Sequence, residues 1–97
     1  STTPSDYRLK ENIRPIERPL EKILNLDGKE FDWKKSGDPD FGLIAQDVEK
    51  IIPKLVKEKN ILGAEETQKV VNYISIIPLL IESIKELNDK IEEIKNG

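Results

Sequence analysis

Residues 77–95 read IPLLIESIKELNDKIEEIK, and this stretch decides the architecture of the chain. Its apolar positions step by three and four, which predicts one long amphipathic helix over residues 74–95. The apolar positions of the heptad, which we call the seam, are Ile77, Leu80, Ile84, Leu87, Ile91 and Ile94. Burying one such side chain contributes about 1.5–3 kcal/mol, and little chain remains to cover the last turns. The seam therefore predicts partner helices, in a number that the pattern leaves open.

The composition favours one small domain and argues against several kinds of site. Of the 97 residues, 36% are hydrophobic and 36% are charged, which leaves little material for a self-sufficient core. The chain contains no His and no Cys, so we expect no metal, no other cofactor and no disulfide. The net charge of -3 argues against a nucleic-acid partner. No apolar run approaches the roughly 18 residues of a membrane span, so we expect no membrane partner.

Short elements are predicted ahead of the long helix. In chain order they are a turn or short helix over residues 5–12, an extended segment at 13–16, a helix beginning at Pro19, a half-buried strand at 29–34, a loop at 36–40, an apolar helix that Pro53 ends, and strands at 55–59 and 69–72. The polar connector at residues 63–68 makes a hairpin of the last two strands. We therefore expect an α+β domain, mainly helical, with a small antiparallel sheet.

A hydroxyl and an amine stand five residues apart near the N-terminus, at Ser5 and Lys10. In a chain without His or Cys, this pair is the simplest route to covalent catalysis, because a neutral lysine can replace histidine as the base for serine. The spacing by itself is common in proteins. The alternative is an ordinary helix start, in which Ser5 is the N-cap and Asp6 lies in the first turn.

Gln46 is one polar residue among apolar neighbours in the predicted middle helix. One interpretation is a buried amide that bonds to the backbone. The other is a hydrogen-bond donor close to a reacting carbonyl. We favour the first.

Several motifs, in one order, resemble the intramolecular chaperone domain found at the C-terminus of phage tail spikes, tail fibres and endosialidases, which is also called the peptidase S74 domain. The self-cleaving region of myelin regulatory factor looks related to the same module. The similar motifs are SDxRLKENI at 5–13, PI at 15–16, FxW at 31–33, GLIAQDVE at 42–49, Pro53, VNY at 71–73 and IPLLIxxIKEL at 77–87. The resemblance covers nearly the whole chain from Ser5.

The resemblance implies a homotrimer whose long helices form a coiled coil. It implies that residues 5–97 direct the folding of an upstream fibre segment of the same chain and then release themselves by self-cleavage. The matching catalytic pair is Ser5 and Lys10, as a single-turnover serine endopeptidase that cuts the Pro4–Ser5 bond. Residues 1–4 would be a remnant of the upstream segment or an added leader. The candidates for supporting roles are Asp6, Arg8, Asn12 and Gln46.

Pro4 departs from the family pattern, in which a small residue other than proline usually precedes the serine. Proline restricts the backbone beside the scissile bond, which would slow or block the cut. Two alternatives therefore stay open: a trimerisation and chaperone module that does not cleave, and a coiled-coil adaptor that binds a helical partner. If the chain is a self-cleaving chaperone, it is part of a virion precursor in the host cytoplasm and leaves the fibre after cleavage.

Overall fold

The computed structural model describes residues 2–63 and 65–97. Ser1, in the expected leader, and Ala64, in the expected connector, lie outside the described residues. The elements in chain order are a 3-10 helix Tyr7–Leu9, α1 Pro19–Leu24, β1 Lys29–Asp32, β2 Pro39–Gly42, α2 Ala45–Ile51, a 3-10 helix Pro53–Leu55, β3 Val56–Lys59, β4 Gln68–Val71 and α3 Ile76–Asn96. The predicted α+β class, with antiparallel strands and a long C-terminal helix, is confirmed.

The core lies where α2 and the turn after it meet the first turns of α3. Val48 of α2 is fully buried, and it packs with Ile52, Leu55, Ile76 and Leu79. The short helix α1 also packs against α3, and its Leu20 is buried. These residues meet because α2 presents an apolar stripe and Pro53 then turns the chain back.

One face of α3 packs on its own domain, and that face is offset from the seam. Its buried residues are Ile76, Leu79 and Ser83, and the Ser83 hydroxyl donates to the Leu79 carbonyl at 2.7 Å. After Ser83, residues 84–96 contain no buried residue, so the last turns project from the domain. The whole seam, from Ile77 to Ile94, is left facing solvent in the single chain.

Strand β2 corrects the prediction of a loop at Pro39 and Asp40, with Phe41 and Gly42 leading into a helix. In the structure these residues pair antiparallel with β1, with Phe31 opposite Asp40 and Glu30 opposite Phe41. Pro, Asp and Gly are poor strand formers, so local propensity predicts a loop there. The pairing comes instead from the turn, in which the Gly37 N–H donates to the Trp33 carbonyl at 2.7 Å.

The predicted hairpin at the other end of the domain is confirmed. Strands β3 and β4 pair antiparallel, with Val56 opposite Val71. Lys69 of β4 donates to both carboxylate oxygens of Glu49 on α2, at 2.8 and 2.9 Å. The hydrogen bonds that it donates to Glu49 raise the pKa of the Lys69 amine above its usual 10.5. The ion pair fixes the second hairpin to α2.

A close approach at Gly42 joins the first hairpin to the segment before α3. The Tyr73 phenol oxygen accepts a hydrogen bond from the Leu43 N–H at 2.9 Å. A Cβ at position 42 would lie 2.8 Å from that oxygen and 3.2 Å from the Phe31 ring. Only glycine leaves room for this contact.

Gly42→Ala should therefore destabilise the fold by about 1–3 kcal/mol. The new methyl group would displace the Tyr73 phenol and leave the Leu43 N–H without its hydrogen-bond acceptor. Urea unfolding measures the loss. The matched control is Gly28→Ala, since a Cβ at Gly28 meets nothing within 4 Å. Equal midpoints for the two variants would contradict the role of this contact.

The single chain exposes more surface than a compact protein of its mass. Its accessible surface is 8572 Å², against about 5700 Å² for an 11.1 kDa monomer. Its radius of gyration is 17.1 Å, against about 12.5 Å for a compact domain of this length. None of the helices in the part of the chain that the structure describes is long and apolar enough to cross a membrane.

Candidate active site

The segment that carries Ser5 and Lys10 is a tight turn shaped by its own hydrogen bonds. The Leu9 N–H donates to the Asp6 carbonyl at 3.0 Å, and the Lys10 N–H donates to the Tyr7 carbonyl at 3.1 Å. Asp6 is the N-cap, and its side chain accepts from the Arg8 N–H at 2.9 Å. The alternative in which Ser5 caps a helix is therefore wrong, because the N-cap is Asp6, whose carboxylate accepts from the Arg8 N–H.

This turn brings together the hydroxyl and the amine that the sequence singled out. The chain is extended at Lys10, and the lysine side chain folds back so that its Nζ lies 2.8 Å from the Ser5 Oγ. That is within the distance required between a nucleophile and its base. Both residues are exposed in the single chain.

Asp6, the residue that follows Ser5, forms an ion pair with Arg8. The Arg8 Nη2 lies 2.7 Å from one carboxylate oxygen of Asp6, and its Nε lies 3.1 Å from the other. These bonds, with the Arg8 N–H, lower the pKa of Asp6 below its usual 3.8, and the carboxylate raises the pKa of Arg8. Within residues 2–63 and 65–97, Lys10 forms no ion pair. The charge of the Asp6 carboxylate is thus paired with that of the Arg8 guanidinium.

A pH titration tests this pairing. Because the pKa of Asp6 is lowered in the folded chain, its contribution to the turn is present above pH 3.8 and is lost as the pH falls below that value. Carboxyl carbon shifts in NMR should show Asp6 titrating below 3.8, and Arg8→Ala should move the midpoint upward. A midpoint that Arg8→Ala leaves unchanged would mean that another group lowers the pKa.

The remaining candidates for supporting roles lie apart from the pair or act on the backbone. Asn12 has a positive φ of 54°, and its carbonyl accepts from Arg14 at 2.8 Å, so it bends the chain after the turn. Gln46 is exposed on α2, which corrects the prediction of a buried amide. It lines a groove with Phe41 and other apolar residues, and neither Ser5 nor Lys10 lines that groove.

The apolar side chains around the pair have no predicted role. Tyr7 and Leu9 are among the most exposed large hydrophobic residues of the chain, at 76% and 74%. Their signal is visible in the sequence, since both stand within a charged run that has no apolar period of its own. Among the described residues, no cluster of three or more His, Cys, Asp or Glu side chains could hold a metal ion.

A family model described as chaperone of endosialidase, peptidase S74, matches residues 5–57, which is more than half of the chain. The matched range begins at the serine of the pair. It also includes the first hairpin and α2.

Curated relatives extend the similarity over nearly all of the chain. The long tail fibre protein Gp37 of Enterobacteria phage M1 is 33% identical over 98 residues, which cover 94% of this chain and 38% of that protein. Gp37 of Enterobacteria phage K3 is 29% identical over 95% of this chain, and Gp37 of Salmonella phage S16 is 30% identical over 94% of it. The chain spans only 8% and 13% of those two fibres. On the matched residues, the chain belongs to the peptidase S74 family, the chaperones of endosialidase, and it is related to phage tail fibre proteins.

Proposed function

We propose that the chain is an intramolecular chaperone that trimerises, directs the folding of an upstream tail fibre or spike segment, and then releases itself by cutting the Pro4–Ser5 bond. The observation that carries the proposal is the 2.8 Å hydrogen bond between the Lys10 amine and the Ser5 hydroxyl, in a chain of the peptidase S74 family. On this proposal, the chain starts as part of a virion precursor in the host cytoplasm.

The chemistry needs only these two side chains and one water. Lys10 accepts the proton of the Ser5 hydroxyl, and the Oγ attacks the carbonyl carbon of Pro4. The bond from that carbon to the Ser5 nitrogen breaks, the nitrogen takes a proton, and an ester joins Pro4 to the Ser5 Oγ. Water then hydrolyses the ester and leaves a carboxylate on Pro4 and a free amine on Ser5. Each chain reacts once.

The base must be neutral, and this requirement links cleavage to assembly. A free lysine has a pKa of about 10.4, so it is almost wholly charged at pH 7. Removing water from an amine favours its neutral form. In the single chain Lys10 is exposed, so the cover must come from other copies. Assembly therefore switches the reaction on.

The chaperone role has its own physical basis. Fibre segments that pair strands between chains form non-local contacts, which are slow to form and expose strand edges to aggregation. A trimer built on the seam of α3 would hold three upstream segments at high effective concentration and in one register. Cleavage then makes the folded fibre persist, because the element that set its register has left.

Concentration tests the link between assembly and cleavage. A chain that carries the parent sequence ahead of Ser1 is diluted through the dissociation range of its oligomer, and the products are weighed by mass spectrometry. We expect a product that begins at Ser5, formed faster as the trimer fraction rises. First-order cutting by a proven monomer would overturn the link.

Pro4 favours a second candidate function, a trimerisation and chaperone module that does not cut. Its ring fixes the backbone next to the scissile carbonyl. The same mass measurement decides between the two, and Pro4→Ala is the matched variant. An intact wild-type chain together with a cut Pro4→Ala chain would assign the second function.

A further inference from the structure

The N-terminal arm, which we define as residues 2–13, is exposed to solvent in the single chain. Every one of its residues is exposed, and its apolar side chains Tyr7, Leu9 and Ile13 are 74–76% exposed. The backbone hydrogen bonds of its turn join arm residues to one another. Apolar side chains of this size are unfavourable in water, so the arm, with its Ser5–Lys10 pair, is incomplete without a partner surface.

The same chain presents an apolar groove that none of its own arm residues lines. The groove lies between the first hairpin and the residues that follow β3. Its exposed lining is formed by Trp33, Phe41, Ile44, Ile61 and Leu62. Phe41 and Leu62 are 78% and 73% exposed. The chain therefore carries two unpartnered apolar surfaces in addition to the seam.

The groove borders the seam. Phe41 and Tyr73, which line the groove, also line a neighbouring depression that reaches Ile77 and Leu80 of the seam. Copies that associate through their seams would therefore bring the groove of one copy close to the next copy.

Symmetry and exposed area allow this contact. An arm-to-groove contact is head to tail, and in a threefold assembly such a contact closes into a ring that leaves no arm and no groove empty. The surface excess of about 2900 Å² over a compact monomer is larger than the roughly 800 Å² per partner of an ordinary interface.

We propose that the arm of each copy packs into the groove of the neighbouring copy, with Tyr7 and Leu9 against Phe41 and Leu62, and that this neighbour supplies the cover over Ser5 and Lys10. The occupant of the groove is thus a second copy of this chain. The inference rests on the proposed trimer and does not depend on whether the Pro4–Ser5 bond is cut.

Protection of the arm from trypsin tests the contact without any self-cleavage. Trypsin should cut after Arg8 at least tenfold faster in a Phe41→Thr trimer than in the wild-type trimer, with assembly verified by sedimentation. Thr keeps the strand preference of β2, and Leu24→Thr, at an exposed position of α1, is the matched control. If Phe41→Thr does not assemble, Leu62→Ser replaces it. Equal cutting in the wild-type and groove-variant trimers would overturn the inference, whereas a wild-type monomer would overturn the proposed function.

Mixed trimers show which copy provides the groove. Mass-tagged Phe41→Thr chains are assembled with an excess of wild-type chains and treated with trypsin. If the groove belongs to the neighbour, the tagged arms become as protected as wild-type arms, although their own groove is damaged. Tagged arms that stay open to trypsin would place the groove in the same chain and refute the exchange.

Discussion

A chain with Lys10→Ala should lose cutting at the Pro4–Ser5 bond by at least about a hundredfold, while its fold and its oligomer persist. The expected loss is large because, among the residues that the structure describes, the hydrogen-bonding partner of the Ser5 hydroxyl is the Lys10 amine, at 2.8 Å. The fold should persist because Lys10 is exposed and its side chain contributes nothing to the core. The appearance of a product that begins at Ser5 is followed by mass spectrometry, and assembly is followed by sedimentation.

Two variants separate the loss of a base from the loss of a charge. Lys10→Arg keeps a cation in place but cannot give up its proton at ordinary pH, so it should be as inactive as Lys10→Ala. Lys35→Ala removes a charge from an exposed turn away from the pair and should cut at the normal rate. If Lys10→Ala cuts normally, the assignment of the pair is wrong.

The second large effect is expected at the seam. On the proposed seam interface, Leu87→Asp should dissociate the oligomer, because each copy would then have to bury a charge in place of an apolar side chain whose burial contributes about 1.5–3 kcal/mol. Leu87 is 47% exposed in the single chain and lies beyond the last buried residue of α3, so the core should not change. Analytical ultracentrifugation measures the oligomer.

The matched control lies one residue further on. Asn88→Asp adds the same side chain and the same charge to an exposed position beside the seam, and it should leave the assembly intact. Dissociation by both variants would mean that net charge, and not the seam, controls assembly. If neighbouring copies cover Lys10, the Leu87→Asp variant should also cut the Pro4–Ser5 bond more slowly than the wild-type chain.

Local signals in the sequence were sufficient for the elements that depend on neighbouring residues. The long helix was predicted over residues 74–95 and runs over Ile76–Asn96, since heptad spacing is a local property. The helix at Pro19 and the hairpin of β3 and β4 follow from proline at a helix start and from two strands around a polar connector.

Errors arose where distant parts of the chain decide the outcome. Gln46 was expected inside because its neighbours are apolar, yet it stands two residues before the buried Val48, about 200° away around the helix. Strand β2 was missed because its residues have low strand propensity and gain their structure by pairing with β1.

By itself, the sequence determined the period of α3, the five-residue spacing of Ser5 and Lys10, and the absence of His and Cys. Those are properties of residue order and type. Only the tertiary structure decided which face of α3 the domain buries, that Arg8 takes up the Asp6 carboxylate, and that the lysine reaches the serine. Each of these outcomes depends on where the backbone turns and on which apolar surfaces pack against one another.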